Sequence, residues 1–151
     1  MAEIKLTFTE EQYKKLVETI FLGSWMLNST RLEDLDEEAE EIRELVLSRY
    51  KEANLEDKVV YQEEMEIHDL TIDYESELLD QYIEEYDEFS FWDKLVEKLT
   101  EKEMVQTFGA DVVSAPLTDE MLKTQLELEE KIGQELEEKG ITNLHLPLDK
   151  K

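Results

Sequence analysis

The sequence of 151 residues has no cysteine, two histidines, four glycines and two prolines. The lack of cysteine excludes disulfide bonds, thiolate nucleophiles and thiolate metal sites, and it is compatible with a reducing cytoplasm. Because His68 and His145 are the only histidines, most histidine-based metal sites are excluded as well. The glycines are too scattered to form a phosphate-binding loop.

The sequence also lacks a long apolar run. No stretch approaches the roughly 18 residues that cross a bilayer, and the N-terminus shows no signal-peptide pattern. We therefore predict a cytoplasmic protein. Its length suits a single domain over residues 1–151, and a hydrophobic content of 40% favours folding over disorder.

Basic residues are scarce relative to acidic ones, at 16 against 41, which gives a formal net charge of −25. The excess is concentrated in the middle of the chain, since residues 33–89 hold 23 acidic and 4 basic residues, a net charge of −19. Such a charge opposes direct binding to nucleic acid and to anionic membranes. It favours basic partners instead.

The stretch from Thr9 to Asn28 contains the longest strongly apolar run and predicts a central helix. Thr9 is a suitable N-cap, and Gln12 completes a capping box. One stripe at helical spacing holds Tyr13, Leu16, Val17, Ile20 and Ser24. From Ile20 onward apolar side chains occur all round, so we expect the second half of the helix to be packed on several sides.

The helical period recurs in four further segments, at about residues 30–53, 73–86, 88–108 and 118–139. The first of these would bury Leu35, Ala39, Ile42, Val46, Tyr50 and Ala53. The second has one broad apolar face with Leu78, Leu79, Tyr82, Ile83 and Tyr86, and the third is rich in aromatic residues. Thr118 and Gly140 are suitable end signals for the last helix. Between Leu55 and Asp73 the pattern weakens, and we predict a short helix followed by a loop.

These segments predict a mainly α fold, a single-domain helical bundle of about five to six helices, with the acidic helices between about residues 30 and 89. Both termini show the alternation of a strand, with Ile4, Leu6 and Phe8 at one end and Leu144, Leu146 and Leu148 at the other. We expect the termini to pair as a short two-stranded ribbon.

Two pairs of acidic residues have a spacing that suits Mg²⁺. Glu38 and Glu41, and likewise Glu77 and Asp80, lie three residues apart and share a helix face. Oxygen ligands are those that Mg²⁺ prefers. The pairs resemble the ExxE and ExxD pairs of all-α nucleotide pyrophosphatases of the MazG kind. The resemblance implies a Mg²⁺-dependent hydrolase with these four carboxylates as metal ligands; the ordinary alternative is a solvated helix face.

Other catalytic patterns are weaker. Glu64 and His68 stand four residues apart and could ligate a metal if this segment is helical, although a surface histidine is the more ordinary interpretation. The serines lie in no GxSxG context. We therefore assign no catalytic residue, predict no cofactor outside the Mg²⁺ alternative, and do not favour an enzyme.

The remaining hypotheses concern binding. An acidic face could occupy the basic surface of a partner, for example a nucleic-acid-binding protein, as a regulatory module. The candidate residues are Glu37, Glu40, Glu41, Glu44, Glu84 and Glu85. The alternative is that these carboxylates only keep the protein in solution. Trp25 and Trp92 lie on apolar helix faces, where core packing is the ordinary role and a small apolar ligand the other. The oligomeric state is left open.

Overall fold

The computed structural model describes residues 3–145, and the chain divides into two compact units, residues 1–84 and residues 85–151. We call them unit 1 and unit 2. Within residues 3–145, no helix combines the length and the apolar character needed to cross a membrane. A single domain over the whole chain stays a prediction.

Helix α1, Glu10–Asn28, opens unit 1 where the sequence predicts it. The capping box is present, since the Gln12 backbone N–H donates to Thr9 Oγ1 at 3.2 Å and the Thr9 N–H donates to Gln12 Oε1 at 3.0 Å. Val17 and Phe21 are buried on its inner face. In its second half Phe21 and Ser24 are buried, whereas Met26 and Leu27 are exposed, so the packing expected on several sides does not extend to these two residues.

Helix α2 covers Glu37–Leu47, which is shorter at both ends than the predicted 30–53 helix. Asp36 is the N-cap, accepting from the Ala39 N–H at 3.1 Å. The Asp36 N–H donates to Asn28 Oδ1 at 2.8 Å, which ties the intervening residues into a connection between α1 and α2. After α2, a 3-10 turn at Tyr50–Ala53 ends at Asn54, whose φ of 54° is left-handed.

The predicted inner face is correct in its C-terminal part, where Val46 packs against the core and Tyr50 and Ala53 are buried, and wrong at Leu35 and Ile42. Leu47 is completely buried, whereas Ile42 is 52% exposed and Leu35 precedes the helix in an exposed connection. Because the helix begins at Glu37, Leu35 is not part of it and does not belong to the predicted apolar stripe. The inner face also includes Arg43 and Leu47.

A β-hairpin replaces the short helix and loop predicted after Leu55. Strand β1, Val59–Gln62, pairs antiparallel with β2, Ile67–Leu70, with Tyr61 opposite His68. Glu66, with φ of 56°, lies in the connecting turn. The β-branched and aromatic run of β1 suits a strand, but its short length gave a weak signal.

The N-terminal half of the expected ribbon is not a strand, because residues 3–9 have no regular secondary structure. β1 and β2 are the two strands found among residues 3–145, and they pair with each other. An alternating segment needs a hydrogen-bonded neighbour to become a strand. Most of the other half of that prediction, Leu146 and Leu148, lies outside the described residues.

Residues 72–108 are helical throughout. Helix α3, Ile72–Leu78, is followed by the π-helical segment Leu79–Glu84, which ends unit 1, and by α4, Glu85–Phe108, which begins unit 2. The sequence predicted helices here but placed a boundary near Asp87. A π-helical segment shifts the register of a helix, so the stripe expected to run from Leu78 to Tyr86 is broken and Tyr86 is exposed.

Unit 2 is completed by a 3-10 turn at Ala110–Val113 and by helix α5, Asp119–Lys139, which packs against α4. Thr118 Oγ1 accepts from the Met121 N–H at 3.3 Å, and Gly140 ends α5 with φ of 56°, as predicted. Because residues 72–108 form one unbroken helical run, residues 3–145 contain four helices, namely α1, α2, this run and α5. The prediction of a mainly helical chain is confirmed, at 67% helix, and a bundle of five to six helices is not.

The core of unit 1 lies between α1, α2, the hairpin and α3. Its buried members are Val17, Phe21, Leu47, Tyr50, Ala53, Leu55, Val59, Leu70, Tyr74 and Leu78. Helices α1, α2 and α3, the 3-10 turn and both strands each contribute at least one of them. This core fixes the orientation of α2, on which most of the predicted interaction residues lie.

Candidate functional site

The outer surface of α2 and the connection before it carry a row of carboxylates. Its exposed members are Glu33, Asp34, Glu37, Glu38 and Glu41, and we call this set the α2 acidic surface. They line an open depression of about 880 Å³. No ion pair found among residues 3–145 involves any of the five. The surface therefore presents negative charge that the described part of the chain does not neutralise by direct pairing.

Two of the predicted interaction residues, Glu40 and Glu44, are half-buried and anchor α2 through polar contacts. Asn28 Nδ2 donates to Glu40 Oε1 at 2.7 Å, and Arg43 Nη1 donates to Glu40 Oε2 at 3.1 Å. Glu44 Oε2 accepts from the His68 backbone N–H at 2.8 Å. Helix α2 is thus fixed by polar contacts to α1 and to β2.

His68 makes a second contact with Glu44, at 2.6 Å between Nδ1 and Oε1. Its ring lies between Tyr50 and Tyr61, with centroid distances of 5.6 and 4.8 Å. Burial alone would raise the pKa of Glu44, but the hydrogen bonds from His68 hold that pKa below its ordinary value. Because His68 is in β2 and Glu64 is in the hairpin turn, they do not share a helix face as the metal hypothesis required.

Arg43 joins α2 to β2 by an ion pair with Asp69, and its guanidinium lies 5.9 Å from the centre of the Phe21 ring. Its Nε is buried and has no hydrogen-bond partner within residues 3–145. The sequence could not identify this arginine as an anchor, because its partner lies 26 residues further along the chain. Nothing in the local pattern separates it from a solvated arginine.

Glu84 and Glu85 are the other two predicted interaction residues, and both are exposed. Glu84 ends the π-helical segment of unit 1, whereas Glu85 is the first residue of unit 2. They are therefore not part of the α2 acidic surface as defined above. Of the six predicted residues, Glu37 and Glu41 belong to that surface, and the half-buried Glu40 and Glu44 line the same depression.

The four carboxylates of the Mg²⁺ hypothesis are all exposed, with Glu38 and Glu41 on α2, Glu77 on α3 and Asp80 in the π-helical segment. Within residues 3–145, no three His, Asp or Glu side chains are grouped so that they could hold a metal ion. The two pairs are thus not brought to a common metal position in the part of the chain that the structure describes.

The two tryptophans have different surroundings. Trp25 packs against the core of unit 1. Trp92 is in unit 2, where it lines a groove of about 550 Å³ between α4 and α5. They belong to separate units, and each is therefore considered by itself.

Unit 1 also contains a buried polar pair that the sequence did not predict. The Tyr74 hydroxyl donates to Glu18 Oε1 at 2.6 Å, and Lys15 pairs with the same carboxylate. Burial opposes the charge of Glu18, yet the hydrogen bonds from Lys15 and Tyr74 lower its pKa. Burial and the neighbouring carboxylate raise the pKa of Tyr74. The pair links α1 to α3, a contact across 56 residues of sequence.

Comparison of the chain with protein-family models, with curated proteins and with solved structures found no match. Its function is therefore inferred from its own residues and their geometry.

Proposed function

We propose that this chain is a non-catalytic interaction module whose α2 acidic surface binds a basic protein partner. The observation that supports the proposal is that the carboxylates of α2 fall into two groups, one that makes contacts within unit 1 and one that is exposed. Glu40 and Glu44 make contacts within unit 1, whereas Glu37, Glu38 and Glu41 are exposed and form no ion pair with another residue of 3–145.

The anchoring makes these outward carboxylates suitable for recognition. Residues three and four apart share a helix face, so Glu37 and Glu38 both lie beside Glu41. Since α2 is held by Arg43 and Glu44, its backbone does not have to be ordered when a partner binds, which reduces the cost of association.

The charge of the segment adds a long-range effect. The net charge of −19 within residues 33–89 would attract a basic surface before contact and speed encounter. Single exposed ion pairs contribute little, so the expected partner offers several lysines or arginines together. A basic surface of a nucleic-acid-binding protein meets that description, and the chain would then act as a regulator. We include a cytoplasmic location in the proposal.

The experiment compares three immobilised proteins in capture from a native lysate. The test variant carries Glu37→Gln, Glu38→Gln and Glu41→Gln. The matched control carries Glu56→Gln, Glu63→Gln and Glu64→Gln, which are exposed residues of the same unit and change the charge equally. Capture at about 0.1 M salt and elution at high salt select charge-dependent partners, because the Debye length falls from about 10 Å to 3 Å.

We expect a basic protein that the native chain and the control retain and the test variant loses. With the isolated partner, affinity of the test variant should fall about tenfold, the equivalent of three weakened charge contacts. Equal loss in both variants would show that overall charge, and not the α2 acidic surface, is responsible. Retention by the test variant would refute the proposal.

A further inference from the structure

Unit 2 contains a groove between α4 and α5 that the proposed function does not use. Its apolar floor is formed by Phe89, Trp92, Val96 and Leu136, and Gly133 and Gly140 leave it open on the α5 side. The groove has a volume of about 550 Å³, within the range of about 300–1,000 Å³ that binding pockets occupy. Phe89 is 71% exposed.

Gly133 lies in the interior of α5, where glycine is one of the least favourable residues. A Cβ added there would meet no atom within 4 Å, so close packing inside the described chain does not require a glycine. What the missing side chain does provide is depth in the groove, which leaves room above its apolar floor for an occupant.

Trp92 is held in position on the opposite side. Its indole Nε1 donates to Glu88 Oε1 at 2.6 Å, and its ring meets Phe91 edge to face with 5.0 Å between centroids. Its Cη2 comes within 3.9 Å of the position a Cβ would take on Gly140. An aromatic side chain that is already oriented loses little entropy when a ligand packs on it.

The rim of this groove is acidic. Asp93 and Glu137 line it, and no basic residue among residues 3–145 does. The other apolar depression on the same two helices has a mixed rim, with Lys102 and Lys131 beside Glu103 and Glu135. Charge therefore distinguishes the Trp92 groove from its neighbour, and it selects a cationic occupant.

We infer that the Trp92 groove binds an amphipathic basic helix of a partner protein, with apolar side chains on the groove floor and lysines or arginines against Asp93 and Glu137. A third helix packs naturally into the groove between two others, through residues at i, i+3, i+4 and i+7. This inference goes beyond the α2 acidic surface, because it concerns another unit and needs an apolar anchor as well as charge.

The test uses the full chain with Trp25→Phe, so that Trp92 alone reports by its fluorescence. The probe is a helical peptide of about 18 residues, or five turns, with leucines on one face and lysines on the other. Two analogues replace the lysines by glutamine or by glutamate. Gly133→Leu fills the groove and favours the helix, so the variant is expected to fold. Gly23→Leu in α1 is the matched control, because a Cβ there also meets nothing within 4 Å.

We expect the lysine peptide to shift Trp92 emission and to bind at least about tenfold more tightly than the glutamate analogue. Gly133→Leu should weaken binding about tenfold or more, and Gly23→Leu should leave it within about twofold. Combined Asp93→Asn and Glu137→Gln should reduce the preference for the lysine peptide over the glutamine analogue.

Unchanged binding to Gly133→Leu, or equal binding of the glutamate analogue, would overturn the inference. Self-association in sedimentation equilibrium that Gly133→Leu abolishes would show that a second copy of this chain is the occupant, and it would overturn the inference as well. The Glu37, Glu38 and Glu41 variant should still bind the peptide with the same Trp92 signal. This variant therefore shows whether binding at the α2 acidic surface and binding in the Trp92 groove succeed or fail independently.

Discussion

Unit 1 encloses its core with two helices, a 3-10 turn, a hairpin and a third helix, whereas unit 2 is built on one pair of helices. In unit 2 the described residues with less than a tenth of their surface exposed are Thr100, Met104 and Leu136. Two packed helices can cover only the side that each presents to the other. Apolar residues such as Phe89, Phe91 and Leu126 consequently remain exposed.

The buried polar groups of the two units also differ in how many hydrogen bonds they receive from other elements. In unit 1, Glu18 and Glu44 receive hydrogen bonds from residues of other elements. Among residues 3–145, the buried Thr100 hydroxyl of unit 2 has no partner, and in unit 1 the same is true of Arg43 Nε, although the guanidinium of Arg43 pairs with Asp69. The comparison teaches that polar contacts between elements help to hold unit 1 together, and that unit 2 leaves apolar surface exposed. Four substitutions test this contrast.

The largest expected effect is that of Leu47→Ala. Leu47 is completely buried in the core of unit 1, and we expect unfolding to become easier by about 3 kcal/mol. Met104→Ala in unit 2 should cost less, about 2 kcal/mol, because the sparse surroundings can collapse more readily. Urea denaturation measures both, followed by Trp25 in a Trp92→Phe background for unit 1 and by Trp92 in a Trp25→Phe background for unit 2. A greater cost for Met104→Ala would contradict the comparison.

Tyr74→Phe should destabilise unit 1 by about 1–2 kcal/mol at neutral pH, because buried Glu18 loses the hydroxyl donor. The pKa of Glu18 is lowered in the folded state. Its interactions therefore contribute stability above its unfolded pKa of about 4.3 and lose it as the pH falls through the folded pKa. The difference between native chain and variant should shrink on acidification over that range.

The control is Tyr61→Phe. Tyr61 is partly exposed, and no hydrogen bond of its hydroxyl is found in the structure of residues 3–145. Urea titrations at a series of pH values should show a small and constant effect for it. If the loss of unfolding free energy in Tyr74→Phe stayed constant down to acid pH, the contribution of the hydroxyl would not depend on the charge of Glu18, and the prediction would be wrong.

Thr100→Val has the smallest expected effect and the opposite sign. The substitution replaces an unpaired buried hydroxyl with a methyl group of similar size, so we expect unit 2 to gain about 1 kcal/mol. Thr107→Val is the matched control, since the Thr107 hydroxyl is exposed and donates to the Glu103 carbonyl at 2.9 Å. A gain at Thr107 equal to that at Thr100 would indicate a general preference for valine rather than relief of a buried polar group.

Most of the candidate site could not have been derived from the sequence. The concentration of acid between residues 33 and 89 was evident from a count, but the count does not separate Glu41, which points outward, from Glu44, which anchors α2. That difference depends on His68, which lies 24 residues away. The groove beside Trp92 likewise depends on which residues of α5 face α4.

The sequence by itself determined the mainly helical character of the chain and several helix ends. The Thr9 and Gln12 capping box, the Thr118 cap and the stop at Gly140 each involve groups within about one helical turn, so they form in any context that allows a helix. The tertiary structure decided the hairpin, the start of α2 at Glu37 and the selection of exposed carboxylates. These features need a strand to be paired, a cap to be stabilised by Asn28 or a side chain to find a distant partner. Such contacts exist only once the units have folded.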